Sequence, residues 1–146
     1  MKIIGLALLP CLLLGTLHAK DPASYSLRVE VKDLRNSNGI LQVNLYNKED
    51  SIPDQKLEKT FKIAKARIVN QSSFVVFKGL PPGRYAVHIL HDENSNGKID
   101  KGFVLPVEGV GLSNFESIGL ANRPNFSKAS FDLKGDKTIS VKVIYF

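Results

Sequence analysis

The residues whose types and spacing could do chemistry lie in one short stretch, His91-Asp92-Glu93-Asn94-Ser95-Asn96-Gly97-Lys98-Ile99-Asp100. Asp92, Asn94 and Asn96 recur every second residue, and Gly97 follows. This is the opening pattern of an EF-hand calcium loop, D-x-[DN]-x-[DN]-G. Hard oxygen donors at alternate positions can converge on one hard cation, and a glycine permits the sharp turn between them. In that reading the Lys98 carbonyl points inward as a ligand. Asp100 binds directly or through water, and Ile99 packs the loop onto the core. The expected metal set is therefore Asp92, Asn94, Asn96, Lys98 and Asp100. Phe103 stands where an EF-hand loop supplies a bidentate Glu, so another acid must complete the shell, and Glu108 is the nearest candidate downstream. The competing reading is an Asn/Gly-rich turn held by its own side-chain hydrogen bonds.

Other constellations are weaker. His88 and His91 invite a zinc site, but three residues apart on a strand they point to opposite faces. His91 beside Asp92 could be an oriented base, which makes a small-substrate hydrolase the alternative function. No Ser or Cys nucleophile sits in a recognisable elbow, and Ser113 in Gly111-Leu112-Ser113-Asn114 is not one. The chain has no G-x-S-x-G, P-loop, G-x-G-x-x-G or H-E-x-x-H sequence. No catalytic residue is assigned.

The elements that must position this loop read as strands. Leu27, Val29 and Val31 alternate with Arg28, Glu30 and Lys32, and Leu41, Val43 and Leu45 alternate with Gln42 and Asn44. The Asn36-Ser37-Asn38-Gly39 cluster between these runs predicts a hairpin. Phe61 and Ile63 suit one short strand and Ala66 to Val69 another. The continuous run Phe74 to Phe77 predicts a strand covered on both faces. Tyr85, Val87 and Ile89 alternate next, leading directly into the acidic loop. Ala129, Phe131 and Leu133 form a later strand, and Ile139, Val141, Val143 and Tyr145 alternate to the C-terminus. About seven short strands and no convincing amphipathic helix predict an all-β, antiparallel β-sandwich of transthyretin-like or immunoglobulin-like kind. A small closed barrel is the runner-up. The segment from Asp92 to Lys128, after the Tyr85–Leu90 strand, is too long for a mere connection, and loops of that length are often functional.

The run Phe77-Lys78-Gly79-Leu80-Pro81-Pro82-Gly83-Arg84-Tyr85-Ala86-Val87 resembles a turn-to-strand signature of transthyretin-like and Cna-B-like sandwich domains. Three stretches add to it: HDENSNGKID, then Pro106-Val107-Glu108-Gly109-Val110-Gly111-Leu112-Ser113-Asn114, then Phe126-Ser127-Lys128-Ala129-Ser130-Phe131. With these the chain resembles the bacterial exported family called domain of unknown function 2141, from about Tyr25 to the C-terminus. Val110 stands where that family more often has an aromatic. The resemblance implies a sandwich fold and export, and no established activity. The Tyr-Arg-Gly-Ser ending of transthyretin-like hydrolases is absent, since the chain ends Val143-Ile144-Tyr145-Phe146.

Residues 1–19, MKIIGLALLPCLLLGTLHA, have the positive start, apolar run and small terminal residue of a secretory signal peptide, with cleavage expected after Ala19. Cys11 raises lipidation as a rival, but Pro10 sits where a small residue is wanted and Leu12 to Leu14 prolong the apolar run. Residues 20–146 then form one domain, exported to the periplasm or secreted. Its 146-residue precursor is 43% hydrophobic and 23% charged, a globular balance that excludes a disordered or multi-span chain. Cleavage removes Lys2 and the one Cys, lowering the +6 net charge by one and leaving no thiol or disulfide chemistry. The densest basic stretch, Lys56, Lys59, Lys62, Lys65 and Arg67, reads as a solvated face rather than a polyanion site. The sequence therefore predicts an exported, non-enzymatic binding or structural module, calcium-stabilised through the Asp92–Asp100 loop. No nucleic-acid partner and no membrane span are expected, the chain is expected to be a monomer, and its partner is not legible.

Overall fold

The computed structural model describes residues 21–102 and 104–146. The leader at residues 1–19 and the side chain of Phe103 lie outside the described residues. Among the described residues, eight strands and one short helix follow in chain order: β1 (Tyr25–Val31), β2 (Ile40–Tyr46), β3 (Lys62–Arg67), β4 (Ser73–Leu80), β5 (Gly83–Asp92), β6 (Gly109–Leu112), α1 (Phe126–Ala129), β7 (Phe131–Leu133) and β8 (Lys137–Ser140). One sheet has the order β4-β1-β8, the other β3-β2-β5-β6, with β7 paired to the start of β5. All named strand pairs are antiparallel except β1 with β8, which run parallel. The all-β sandwich expected from the alternation forms, with eight strands in place of about seven.

The alternation works because each sheet must bury one face. Leu27, Val29 and Val31 of β1 meet Leu41, Val43 and Leu45 of β2 and Val87 and Ile89 of β5 between the sheets. Phe77, Tyr85, Val141 and Val143 join them as predicted, and Phe131 packs at the margin, partly buried. A one-residue slip in any of these strands would send its apolar set to the opposite face, so the pattern also fixes register.

The predicted β1–β2 hairpin does not form. β1 pairs with β4 and β8, and β2 pairs with β3 and β5, so residues 32–39 carry the chain from one sheet to the other. Leu34 explains the crossing: it is buried in the intersheet core and draws the connector across the sandwich edge. The Phe74–Phe77 run is also not covered on both faces. Val75 and Phe77 point inward, while Phe74 and Val76 are exposed on an edge strand. The Arg28 guanidinium lies 3.6 Å from the Phe74 ring centroid and covers part of that face. The two short strands expected at 61–69 merge into β3, Ala129 belongs to α1, and the C-terminal strand stops at Ser140.

β2 and β5 are buried on both faces, which alternation alone does not foretell. On the outer face Gln42, Asn44, Tyr46, Ala86 and Leu90 are buried as well. The segment from Glu93 to Ser130 folds over that face. It brings Leu112, Phe115, Phe126 and Ala129 onto Tyr46, Ile52 and Ala86 in a second apolar cluster. α1 is held there by Asn125, whose side-chain oxygen accepts the Lys128 N–H at 2.8 Å as an N-cap. No helix among the described residues is long and apolar enough to cross a membrane.

Candidate functional site

The acidic loop begins where β5 ends. Asp92 is the last residue of β5, opposite Ile40, and its side chain is fully buried. Its carboxylate organises the turn that follows. Oδ1 accepts the Asn96 N–H at 3.0 Å and Oδ2 accepts the Gly97 N–H at 2.7 Å. Gly97 lies at φ +75°, the left-handed turn the spacing demands. Asn94 Oδ1 accepts the Asn96 N–H at 3.0 Å, and Asn96 Oδ1 accepts the Lys98 N–H at 2.9 Å. The Lys98 carbonyl accepts no hydrogen bond among the described residues.

Asp100 closes the ring. Its carboxylate takes the Asn94 amide at 2.6 Å and the Asn96 amide at 2.9 and 3.0 Å. Glu108, just before β6, enters from the other side and is 4% exposed. It accepts the Glu93 N–H at 3.0 Å and the Asp100 N–H at 3.5 Å. Burial pushes the Glu108 carboxyl up; the two backbone donors pull it down, and the charges of Asp100 and Asp92 raise it again. Among the described residues none of the ion pairs engages Asp92, Asp100 or Glu108.

The structure thus brings together Asp92, Asn94, Asn96 and Asp100 around Gly97, with Glu108 behind them. No group of three or more His, Cys, Asp and Glu side chains lies at metal-holding separation among the described residues. A soft-ligand transition-metal centre is not what this donor set suits; carboxylate, amide and carbonyl oxygens suit a hard cation. The amides of Asn94 and Asn96 donate to Asp100 as they stand. Their side chains must turn if amide oxygens are to face a cation instead.

The neighbouring charge has a different task. Glu93 points away from the ring and forms two bonds with Arg35, Nε to Oε1 at 2.7 Å and Nη2 to Oε2 at 2.5 Å. The Arg35 hydrogen bond, with help from Asn36 and against some burial, holds the Glu93 carboxyl down at about 2. This clamp ties the connector before β2 to the first turn of the loop. Sequence spacing does not reveal it, because the partners are 58 residues apart.

His91 belongs to the same support. It is fully buried in the intersheet side, with Nδ1 2.7 Å from the Tyr145 hydroxyl and Nε2 3.0 Å from the Asn38 carbonyl. Both ring nitrogens are engaged, so the ring holds the C-terminal segment and the connector together. The arrangement offers the hydrolase reading no free base at this residue. Ser113 is likewise buried: its Oγ accepts the Val87 N–H at 2.9 Å and donates to the Ala129 carbonyl at 2.6 Å. His88 lies on the opposite face of β5, as the spacing predicts, with Nδ1 3.2 Å from the Asn44 amide nitrogen.

A two-sheet β-sandwich carrying an oxygen-rich loop at the end of a central strand is the class of protein that fold and site define. The family model described as "Uncharacterized protein conserved in bacteria (DUF2141)" matches residues 29–141, from within β1 to just past β8, and the chain belongs to that family. No curated protein and no solved structure matches.

Proposed function

We propose that the protein is an exported, non-enzymatic β-sandwich module whose Asp92–Asp100 loop takes a calcium ion, with Glu108 completing the shell. The observation that carries this reading is the buried Asp92 carboxylate, which fixes the turn that gathers Asn94, Asn96 and Asp100 on one side, with Glu108 close by. Carboxylates gathered without an ion pair among the described residues are costly, and a divalent cation relieves that cost. The n-, h- and c-regions of residues 1–19 support export. The Phe77–Val87 run supports kinship with transthyretin-like and Cna-B-like sandwiches.

Two of the loop's four side-chain donors are carboxylates, and the terminal Glu of an EF-hand is missing, so affinity is weak, about 0.1–1 mM. At about 2 mM calcium and a Kd of about 0.2 mM, linkage gives roughly 1.4 kcal/mol. That raises Tm by a few degrees. Melting curves in calcium and in chelator, with calorimetric titration, test it. Asp92→Ala abolishes the calcium-dependent increment, and Glu93→Ala keeps it, because Glu93 faces Arg35. Equal melting in calcium and chelator, with no heat of binding, leaves the loop a turn. Export is checked separately: intact mass of the protein from its own host places the mature N-terminus at Lys20, within about two residues, and a lipid on Cys11 contradicts a soluble product.

A further inference from the structure

The outer face of the second sheet holds a cavity away from the loop's oxygen donors, with Ile99 of that loop as one wall. It lies between β2, β5 and β6 and the covering segment, with a volume of about 210 Å³. Its walls are mostly apolar, chiefly Ile52, Pro53, Val110, Leu112 and Ile118, with His88 set among them. Asp54, Gln55 and Lys101 also line it. A cavity of about 150 Å³ lined by apolar side chains is large enough for benzene. This one has room for a single ring with a small substituent.

Of the buried and half-buried polar side chains lining the cavity, His88 is the one whose donor is left without an acceptor among the described residues. Asn44, fully buried, receives the Gln42 amide on its Oδ1 at 3.0 Å, which turns its own NH2 toward His88 Nδ1 at 3.2 Å. Nδ1 is therefore the acceptor, and in the neutral ring the hydrogen sits on Nε2. Among the described residues nothing accepts that hydrogen. Burial lowers His88 to about 4, against a smaller opposing pull from Asp54, so the ring is neutral at ordinary pH. Asp54 does not compete for Nε2–H. Its oxygens accept the Tyr46 hydroxyl at 3.2 Å and the N–H groups of Glu58 and Lys59 at 3.1 and 2.8 Å. At the rim Lys101 donates to Gln55 at 2.5 Å and joins the two loops.

We propose that this cavity binds a small apolar molecule of about one ring bearing an uncharged hydrogen-bond acceptor, such as a carbonyl oxygen, received by His88 Nε2–H. The Gln42–Asn44 relay fixes which ring nitrogen donates, so the donor is preorganised on a half-buried ring lining the cavity. A neutral donor beside the Asp54 carboxylate favours an uncharged acceptor over a second carboxylate, whose desolvation it cannot repay. This site touches the acidic loop only through Ile99 and does not depend on the calcium reading.

The test uses the protein purified from its exporting host and titrates it with acetophenone, then with ethylbenzene, which has a similar ring and no acceptor. Methyl and imidazole NMR report the site. Acetophenone is expected to shift the Ile52, Val110 and Leu112 methyls and the His88 ring saturably, and to bind about three- to tenfold more tightly than ethylbenzene, the worth of one neutral hydrogen bond. His88→Phe keeps an aromatic ring but removes the donor, and is expected to erase that preference. Ile118→Trp, at a half-buried wall position, is expected to block both probes while leaving the fold's spectrum intact. If neither probe shifts these methyls saturably, or if His88→Phe folds and keeps the preference, the proposal is overturned.

Discussion

Glu108 joins two demands that conflict in the absence of a cation. Its carboxyl is raised chiefly by burial, so the folded chain holds that proton more tightly than the unfolded chain does. Stability from this group is present at low pH and is lost as pH rises through the raised value. Glu108→Gln removes the charge and retains an oxygen for the Glu93 N–H. In chelator at neutral pH the variant is expected to melt above the wild type, while in calcium its increment shrinks. Paired thermal melts read both effects, and a variant that melts lower in chelator contradicts the argument. What the sequence disclosed at this scale follows from distance along the chain. Asp92, Asn94, Asn96 and Asp100 were legible because their alternation is local. The Glu93–Arg35 clamp and the His91–Tyr145 contact were not, because folding alone brings together residues 58 and 54 positions apart. His88 was visible as a histidine, yet its setting comes from Asn44 on a neighbouring strand.

Among the elements, the connector between β1 and β2 carries the most specific constraint. Gly39 sits at φ +67°, and a Cβ there would run into the Asp92 carbonyl and the Glu93 backbone. Gly79 has the same φ of +67°, but a Cβ there meets nothing within 4 Å. Gly79→Ala is therefore expected to cost about 1–2 kcal/mol, the left-handed penalty alone. Gly39→Ala is expected to cost clearly more and to disturb the loop amides after Asp92, as urea unfolding and amide spectra of the pair would show. Equal costs for the two variants contradict the close approach. The same glycine explains the misread hairpin. Asn38-Gly39 is a strong turn signal, but eight residues, 32–39, separate the strands and Leu34 among them is buried. A tight two-residue turn cannot bury a leucine across the sandwich, so tertiary packing overrides the local preference. Strand existence was legible from period-two alternation, whereas partner choice was not.

The whole molecule has two apolar layers with different tasks. The intersheet core holds the sandwich, and the second cluster holds the covering segment to it. Val87 is fully buried in the first layer, and Val87→Asp is expected to unfold the protein, since an unpaired buried carboxylate costs several kcal/mol, comparable to domain stability. Phe126→Ala, in the second layer, is expected to lose about 3–5 kcal/mol locally and to speed amide exchange in residues 113–130 before the sheets open. Simultaneous exchange in both regions would make the layers one unit. The parallel union of β1 with β8 also governs the order in which this protein can be made. β1 leaves the ribosome more than a hundred residues ahead of its partner Lys137–Ser140. Until Lys137–Ser140 are available, one edge of β1 has no neighbour and Leu27 and Val29 lack part of their cover. Completion must wait for β8 and then close a loop of more than a hundred residues, which places folding in the slow, millisecond-to-second range of strand topologies with distant partners. Until β8 arrives, the β1 edge is an open template for another strand, so a partly made sandwich carries an unsatisfied ladder that only its own distant segment completes.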